Sequence, residues 1–155
     1  MVKGSLLRYK FRRRRAYASA YGRKLAIKLQ ERGLEFDTLT FIPIFPLRKF
    51  RRGYDQVALL TKAVSKELAI PYYRTLRKIR NTPPQSSILE PARRRANVLG
   101  AYKAVNTDHI RGKRILLLDD IITTGATASE CARVLLTAGA KEVHCAALAV
   151  SNHKK

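Results

Sequence analysis

Apolar positions along this chain change period several times, and each change marks an element. Between Tyr17 and Arg32, Ala18, Tyr21, Leu25 and Leu29 recur near helical spacing, and Gly33 follows as a stop. DTLTFIPIFP then places Leu39 and Phe41 at strand spacing, predicting a short strand ended by Pro43 and Pro46. Helical spacing returns at Val57, Leu60, Val64 and Leu68, with Asp55 placed to cap this helix and Pro71 to end it. RNTPPQSSILEPARRRANVLGAY, from Arg80 to Tyr102, is polar, proline-rich and without a clear period, which predicts a long surface excursion. Gly100 to Val105 predicts a further strand, and KRILLLD has the wholly apolar character of a buried parallel strand. Ala128, Cys131, Ala132 and Leu135 share one helical face stopped by Gly139, and Glu142 to Val150 closes as a strand. Strands alternating with helices predict an α/β fold, a mostly parallel central sheet flanked by helices. With no internal repeat, residues 1–155 are expected to form a single domain.

Composition narrows the setting. A hydrophobic share of 46% over 155 residues supports a globular core. No apolar run approaches the roughly 20 residues of a membrane helix. Met1 to Arg15 lacks the apolar segment of a secretory signal, so a cytoplasmic location is expected. Cys131 and Cys145 form neither a disulfide framework nor a metal site, and Cys131 reads as core. His109, His144 and His153 lack ligand or triad spacing, and His144 reads as a buried or rim strand residue.

The net charge of +21 changes the picture more. It gathers in Arg12 to Arg15, in Arg48, Lys49, Arg51 and Arg52, in Arg74 to Arg80 and in Arg93 to Arg95. Any one cluster is compatible with a solvated face, but together they imply polyanionic partners, either nucleic acid or phosphorylated small molecules. Tyr9, Phe11 and Tyr54 lie among the arginines and could stack on bases, although core packing is the commoner role of such residues.

One stretch is at odds with so basic a chain: RILLLDDIITTGATASECARVLL, Arg114 to Leu136. Ligands of parallel α/β sheets sit at the carboxyl ends of strands, where Asp119 and Asp120 fall. The turn from Thr123 through Thr124, Gly125 and Ala126 to Thr127 offers hydroxyls, a glycine suited to a tight bend and a helix N-terminus, which together favour a phosphate. It is not a Walker loop, since the glycine spacing and the lysine are missing. Helix capping explains one threonine and one aspartate. Two adjacent carboxylates repel each other unless hydroxyls or a cation occupy them. A sugar phosphate, with vicinal hydroxyls beside a phosphate, meets both halves.

ILLLDDIITTGAT closely resembles the signature of type I phosphoribosyltransferases, which bind phosphoribosyl pyrophosphate (PRPP). IPIFPLRKFRRGYDQVALLTKAVSKEL, the proline-rich excursion and the signature, in that order, resemble the ComF family of competence proteins, as does LLRYKFRRRRAYASAYGRKLA. ComF proteins commonly begin with a four-cysteine zinc module, and this chain is expected to consist of the phosphoribosyltransferase part without it. The resemblance implies that Asp119 and Asp120 bind the ribose hydroxyls and that Thr123, Thr124, Gly125, Ala126 and Thr127 hold the 5-phosphate. It places pyrophosphate at the loop of Phe45, Pro46, Leu47 and Arg48, with Lys49, Arg51 and Arg52 nearby. The excursion stands where a mobile hood closes over PRPP, with Arg80, Gln85, Arg94 and Arg95 as its contacts, and its R…Q…R pattern resembles the hood of glutamine PRPP amidotransferases more loosely.

By that resemblance, pyrophosphate leaves the ribose C1, a nucleophile attacks an oxocarbenium-like carbon, and Mg²⁺ accompanies PRPP near Asp119 and Asp120. Hood closure would exclude water. Nothing in the sequence identifies the acceptor, and with few residues after Val150 a well-formed nucleobase pocket is not expected. The family also points to single-stranded DNA and to the proteins of DNA uptake as partners. Two readings without turnover stand beside catalysis: a DNA-handling protein on an inherited fold, and a PRPP sensor.

Overall fold

A run as apolar as Ile115–Leu118 must be covered on both faces, and covering it organises the chain. The computed structural model describes residues 16–46, 55–83 and 88–151. Its elements are α1 (Ala16–Glu31), β1 (Thr38–Phe41), α2 (Gln56–Leu68), β2 (Leu76–Lys78), α3 (Pro91–Val98), β3 (Tyr102–Ala104), β4 (Arg114–Ile122), α4 (Ala126–Thr137) and β5 (Glu142–Val150). The strands β1, β4 and β5 form a parallel sheet in the order β1-β4-β5, with Leu39 opposite Leu116 and Leu117 opposite Cys145. Pro71–Tyr73 runs along the outer side of β1, where Leu39 N–H donates to the Pro71 carbonyl at 2.9 Å and Tyr73 N–H to the Leu39 carbonyl at 3.0 Å.

Strand alternation divides the core in two. Ile115 and Leu117 pack with Val98, Tyr102, Cys131 and Leu135, beneath α4 and the hood segment. Leu116 and Leu118 pack on the other face with Leu29, Phe36, Leu60 and Val64, from α1, the loop after it and α2. The helices α1 and α2 meet closely at Gly22, where an added Cβ would lie 2.5 Å from Ala63 Cβ. At the amino end of the sheet the Arg114 guanidinium binds Asp37 and Glu35, and its hydrogen bonds hold the Asp37 carboxyl down to about 2.

Most sequence expectations match these elements. Asp55 caps α2, its carboxylate accepting from Val57 N–H at 3.0 Å and Ala58 N–H at 3.2 Å. That helix ends at Leu68, before Pro71, because Ala69 takes a left-handed conformation with φ 54° and Ile70 N–H turns back to the Ser65 carbonyl. Cys131 is fully buried, and burial pushes its thiol up. His144 is partly buried, edge-on to Phe36 and bonded to Glu142.

The excursion is a correction. Its sequence shows no period, yet it contains the eight-residue helix α3 and is framed by an antiparallel hairpin of β2 and β3. The buried positions of α3 are Arg94 and Val98. Their i, i+4 spacing is helical, but an arginine occupies one of them and hides the pattern. Gly100 to Val105 does hold a strand, in that hairpin and apart from the parallel sheet.

Glu130 of α4 ties this hood to the sheet. Its buried carboxylate receives Arg133 at 2.7 and 2.9 Å and Gly100 N–H at 3.1 Å. Arg133 chiefly lowers its pKa, with the Gly100 bond adding and burial opposing. A carboxyl lowered on folding stabilises the fold above its unfolded pKa of about 4.3, and that stability is lost as pH falls through the folded value. Thermal melts from pH 7 to pH 3 should therefore show a shallower acid-side fall in Glu130→Gln than in the unsubstituted chain. Parallel curves would remove this role.

Candidate functional site

The acid pair lies within β4, which continues to Ile122, so strand pleating sends the two side chains to opposite faces. Asp120 turns toward α2, where Gln56 Nε2 donates to its Oδ2 at 3.1 Å. Asp119 shares the α4 face, and its charge helps raise the Cys131 and Cys145 thiols, after the larger effect of burial. Each carboxylate also accepts from the next backbone N–H, Asp119 Oδ1 from Asp120 and Asp120 Oδ1 from Ile121, both at 2.8 Å. These bonds and the divergence of the side chains moderate the repulsion that neighbouring acids imply. The pair is compatible with the fold before any ligand arrives.

Past Ile122 the chain must turn sharply into α4, and Gly125 makes the turn at φ 79°, a left-handed conformation that glycine adopts without penalty. Thr124 Oγ1 accepts from Ala126 N–H at 3.4 Å, and the intrahelical ladder begins with Ser129 N–H donating to the Gly125 carbonyl at 2.8 Å. The first-turn N–H groups of Ala126, Thr127 and Ala128 stand outside that ladder. Thr123 and Thr124 are exposed.

Acids and turn open into one cleft of about 480 Å³, whose lining includes Asp119, Asp120 and every residue from Thr123 to Thr127. Its volume falls within the roughly 300–1,000 Å³ usual for small-molecule sites. Gln56 and Val57 close it from α2, Pro43 and Ile44 from the loop after β1, and Lys78, Pro83, Val98 and Tyr102 from the hood. Lys78 lies 5.7 Å from the centre of the Tyr102 ring, a cation–π distance. Hood and acid pair thus face each other across the space.

The structure brings the acid pair and the threonine turn into one lining, which includes none of the other sequence-predicted residues that it describes. Phe45 is half-buried and Pro46 exposed, both beside the lining rather than in it. Arg80 donates to the Leu99 carbonyl at 2.5 Å and to the Asn97 carbonyl at 3.3 Å, bracing the hood. Arg94 is buried, with Nε donating to the Ile88 carbonyl at 2.5 Å. Arg95 is exposed on α3 and outside the lining. Leu47, Arg48, Lys49, Arg51, Arg52 and Gln85 lie outside the described residues, as do Arg12 to Arg15, Tyr9, Phe11, Tyr54 and His153.

Two polar lining residues escaped the sequence reading. Gln56 sits directly after the cap Asp55, and a glutamine there reads as ordinary first-turn composition. Lys78 is one cation in a basic run, and its inward direction follows from its pairing with Tyr102, which no local pattern reveals.

Comparison with known proteins agrees with this geometry. The phosphoribosyl transferase domain family matches residues 57–155. Competence protein F of Haemophilus influenzae is 34% identical over 70% of this chain and 48% of its own length. DNA utilization protein YhgH of Escherichia coli K12 is 31% identical over 86% of this chain and 60% of its own. The chain thus spans about half to three-fifths of these curated relatives. Among solved structures, glutamine PRPP amidotransferase from B. subtilis, complexed with ADP and GMP, superposes with a TM-score of 0.58 and 28% identity, over 84% of this chain and 26% of that one. An adenine phosphoribosyltransferase from Thermoanaerobacter pseudethanolicus shares the fold at a TM-score of 0.52 and 19% identity, over 84% of this chain and 66% of that one. A parallel sheet ending in an acid pair, a threonine–glycine turn into a helix and a hood above them agree with these matches: the chain belongs to the phosphoribosyltransferase domain family, among its ComF-like members.

Proposed function

We propose that the cleft binds PRPP together with Mg²⁺, and that the chain is the PRPP-binding part of a protein engaged in DNA use. The observation that carries the first half is the opening of two carboxylates and a threonine–glycine turn into one space. Asp119 and Asp120 would accept from the ribose hydroxyls, and the N–H groups and hydroxyls from Thr123 to Thr127 would hold the 5-phosphate. Lys78 would meet the pyrophosphate as the hood comes down. The amidotransferase is named for PRPP and superposes over most of the chain, which supports the ligand. The setting in DNA use rests on the relatives named for competence and DNA utilization.

The donor chemistry suits magnesium. No cluster of three or more His, Cys, Asp or Glu able to hold a metal exists among the described residues. Mg²⁺ commonly joins one or two carboxylates to substrate phosphates and keeps several waters, and Asp119 and Asp120 with a bound diphosphate give that set. Its chemistry there would be to neutralise the charge of the pyrophosphate.

Should the group be transferred, the C1–O bond to pyrophosphate breaks, its electron pair leaves with pyrophosphate, and an acceptor's lone pair forms the new bond at C1. The acid pair would stabilise the positive charge on the ring, and the hood would keep water from that carbon. Titration calorimetry tests the binding: PRPP should bind with Mg²⁺ and far less well after chelation, and ribose 5-phosphate should compete. Absence of PRPP binding in Mg²⁺ would overturn the proposal.

A further inference from the structure

The parallel sheet covers one of its edges and leaves the other open. Beside β1 the Pro71–Tyr73 segment supplies main-chain partners, whereas β5 pairs only with β4 among the described residues. Which of its groups face outward follows from the ladder. The Arg114 and Leu118 carbonyls accept from Asp37 N–H and Ile42 N–H, so even-numbered residues in this part of β4 bond toward β1 and odd-numbered ones toward β5. In a parallel ladder a residue bonds to the two neighbours of its register partner, and the partner's own groups turn to the far side. Ile115, Leu117 and Asp119 are in register with Val143, Cys145 and Ala147. Those three therefore present their N–H and C=O groups along the open edge.

Edge strands are ordinarily kept from pairing by lysines, prolines, bulges or shortness. The strand β5 has nine residues, and none from Glu142 to Val150 is Lys, Arg or Pro, in a chain of net charge +21. None of them is fully buried, whereas all four residues of β1 are. Cys145, at the middle of the outward three, is exposed, and Val150 is 64% exposed. The apolar margin extends onto the helix above. On α4, Glu130 turns to the hood while Cys131 and Leu135 turn to the sheet, which leaves Leu136, 49% exposed, on the flank away from the hood.

We infer that a second copy of this chain pairs with the open edge, β5 against β5, antiparallel about a two-fold axis at Cys145. This register sets Cys145 opposite its own copy and Val143 opposite Ala147, and so engages all three outward residues of both strands. The two sheets become one, in the order β1-β4-β5-β5-β4-β1, with the two clefts at opposite ends. The contact segment favours a copy over an acidic peptide, because it carries no cation to receive one and none to repel its twin. Nine residues span about 30 Å, and a helix-covered edge about 20 Å deep gives about 600 Å² on each copy, the lower limit of specific interfaces. The pairing makes no use of PRPP and goes beyond the proposed function without resting on it.

Analytical ultracentrifugation of the whole chain, from about 1 to 200 μM and at low and high salt, tests the inference. A dimer of micromolar Kd should form, and added salt should leave it equal or tighter, because screening relieves the repulsion between two basic chains. Cys145→Lys, which sets two cations face to face at the axis, should weaken the dimer by at least about 10-fold. Ile27→Lys, an equal charge change at an exposed position of α1, should stay within about 2-fold of the unsubstituted chain. Directly opposed residues of a hydrogen-bonded antiparallel pair have Cα atoms about 5.5 Å apart, within disulfide range. Diamide, which takes up the two thiol hydrogens as the S–S bond forms, should therefore link unsubstituted chains through Cys145, as peptide mapping would show, and Cys145→Ser should not be linked. This second readout needs no variant to fold. A monomer throughout the range would give the edge to a different partner and overturn the inference. So would a dimer indifferent to Cys145→Lys, linkage through Cys131, or dissociation by salt, the behaviour of chains bridged by a polyanion.

Discussion

Neutralising both acids, Asp119→Asn with Asp120→Asn, is expected to lower PRPP affinity in Mg²⁺ on the order of 100-fold and to leave the affinity for metal-free pyrophosphate equal or higher. The opposite signs carry the argument. A cleft that merely attracted anions would gain affinity for every phosphate when two negative charges were removed. If the carboxylates instead accept from ribose hydroxyls and share Mg²⁺, their loss weakens any ligand that carries the sugar. Asparagine keeps a side-chain oxygen for the backbone N–H groups of Asp120 and Ile121, and its NH₂ can donate to the Gln56 oxygen once the Gln56 amide turns over. The fold should therefore persist, and calorimetry with PRPP and ribose 5-phosphate in Mg²⁺, and with pyrophosphate in its absence, reads the effect. PRPP binding unchanged or tightened would remove the acids from the sugar site.

How much of this could be read from the chain depends on the range of the forces involved. Signals carried by neighbours survived: the apolar run of β4, the Asp55 cap and the glycine turn at Gly125 each follow from a few adjacent residues. The acid pair was legible as a site, but not its geometry, because β4 runs three residues beyond Asp119 and pleating separates the side chains. The Gln56–Asp120 bond joins residues 64 positions apart, which no local period records. In α3 an arginine at a buried position erased the apolar stripe that would have announced a helix. Arg80 and Arg94, which the resemblance to a hood gives as ligand contacts, donate to the hood's own carbonyls, bonds that no local pattern records.

Truncating Leu117 to Ala should destabilise the fold by about 3–5 kcal/mol, since a fully buried leucine loses both its transfer energy and the atoms that filled its place. In a domain of this size that is a fall of roughly 6–20 °C in Tm. Leu116→Ala should cost about as much, since the two residues are each 1% exposed on the same strand. Their effects on ligand binding should differ. Leu117 shares its cluster with Ala126 and Ala128, the residues that seat the threonine turn. Leu116 packs among α1 and α2 residues that hold no part of that turn. A cavity beneath the first turn of α4 lets its N–H groups drift from the 5-phosphate, so Leu117→Ala should also weaken ribose 5-phosphate binding, by about 10-fold, measured well below its melting temperature. Leu116→Ala should leave that affinity within about 2-fold, and Leu117→Met, which nearly conserves volume, should restore both stability and binding. Equal losses of ribose 5-phosphate affinity in the two alanine variants would mean that the sheet answers as one body. The threonine turn would then draw no particular support from the core face beneath it.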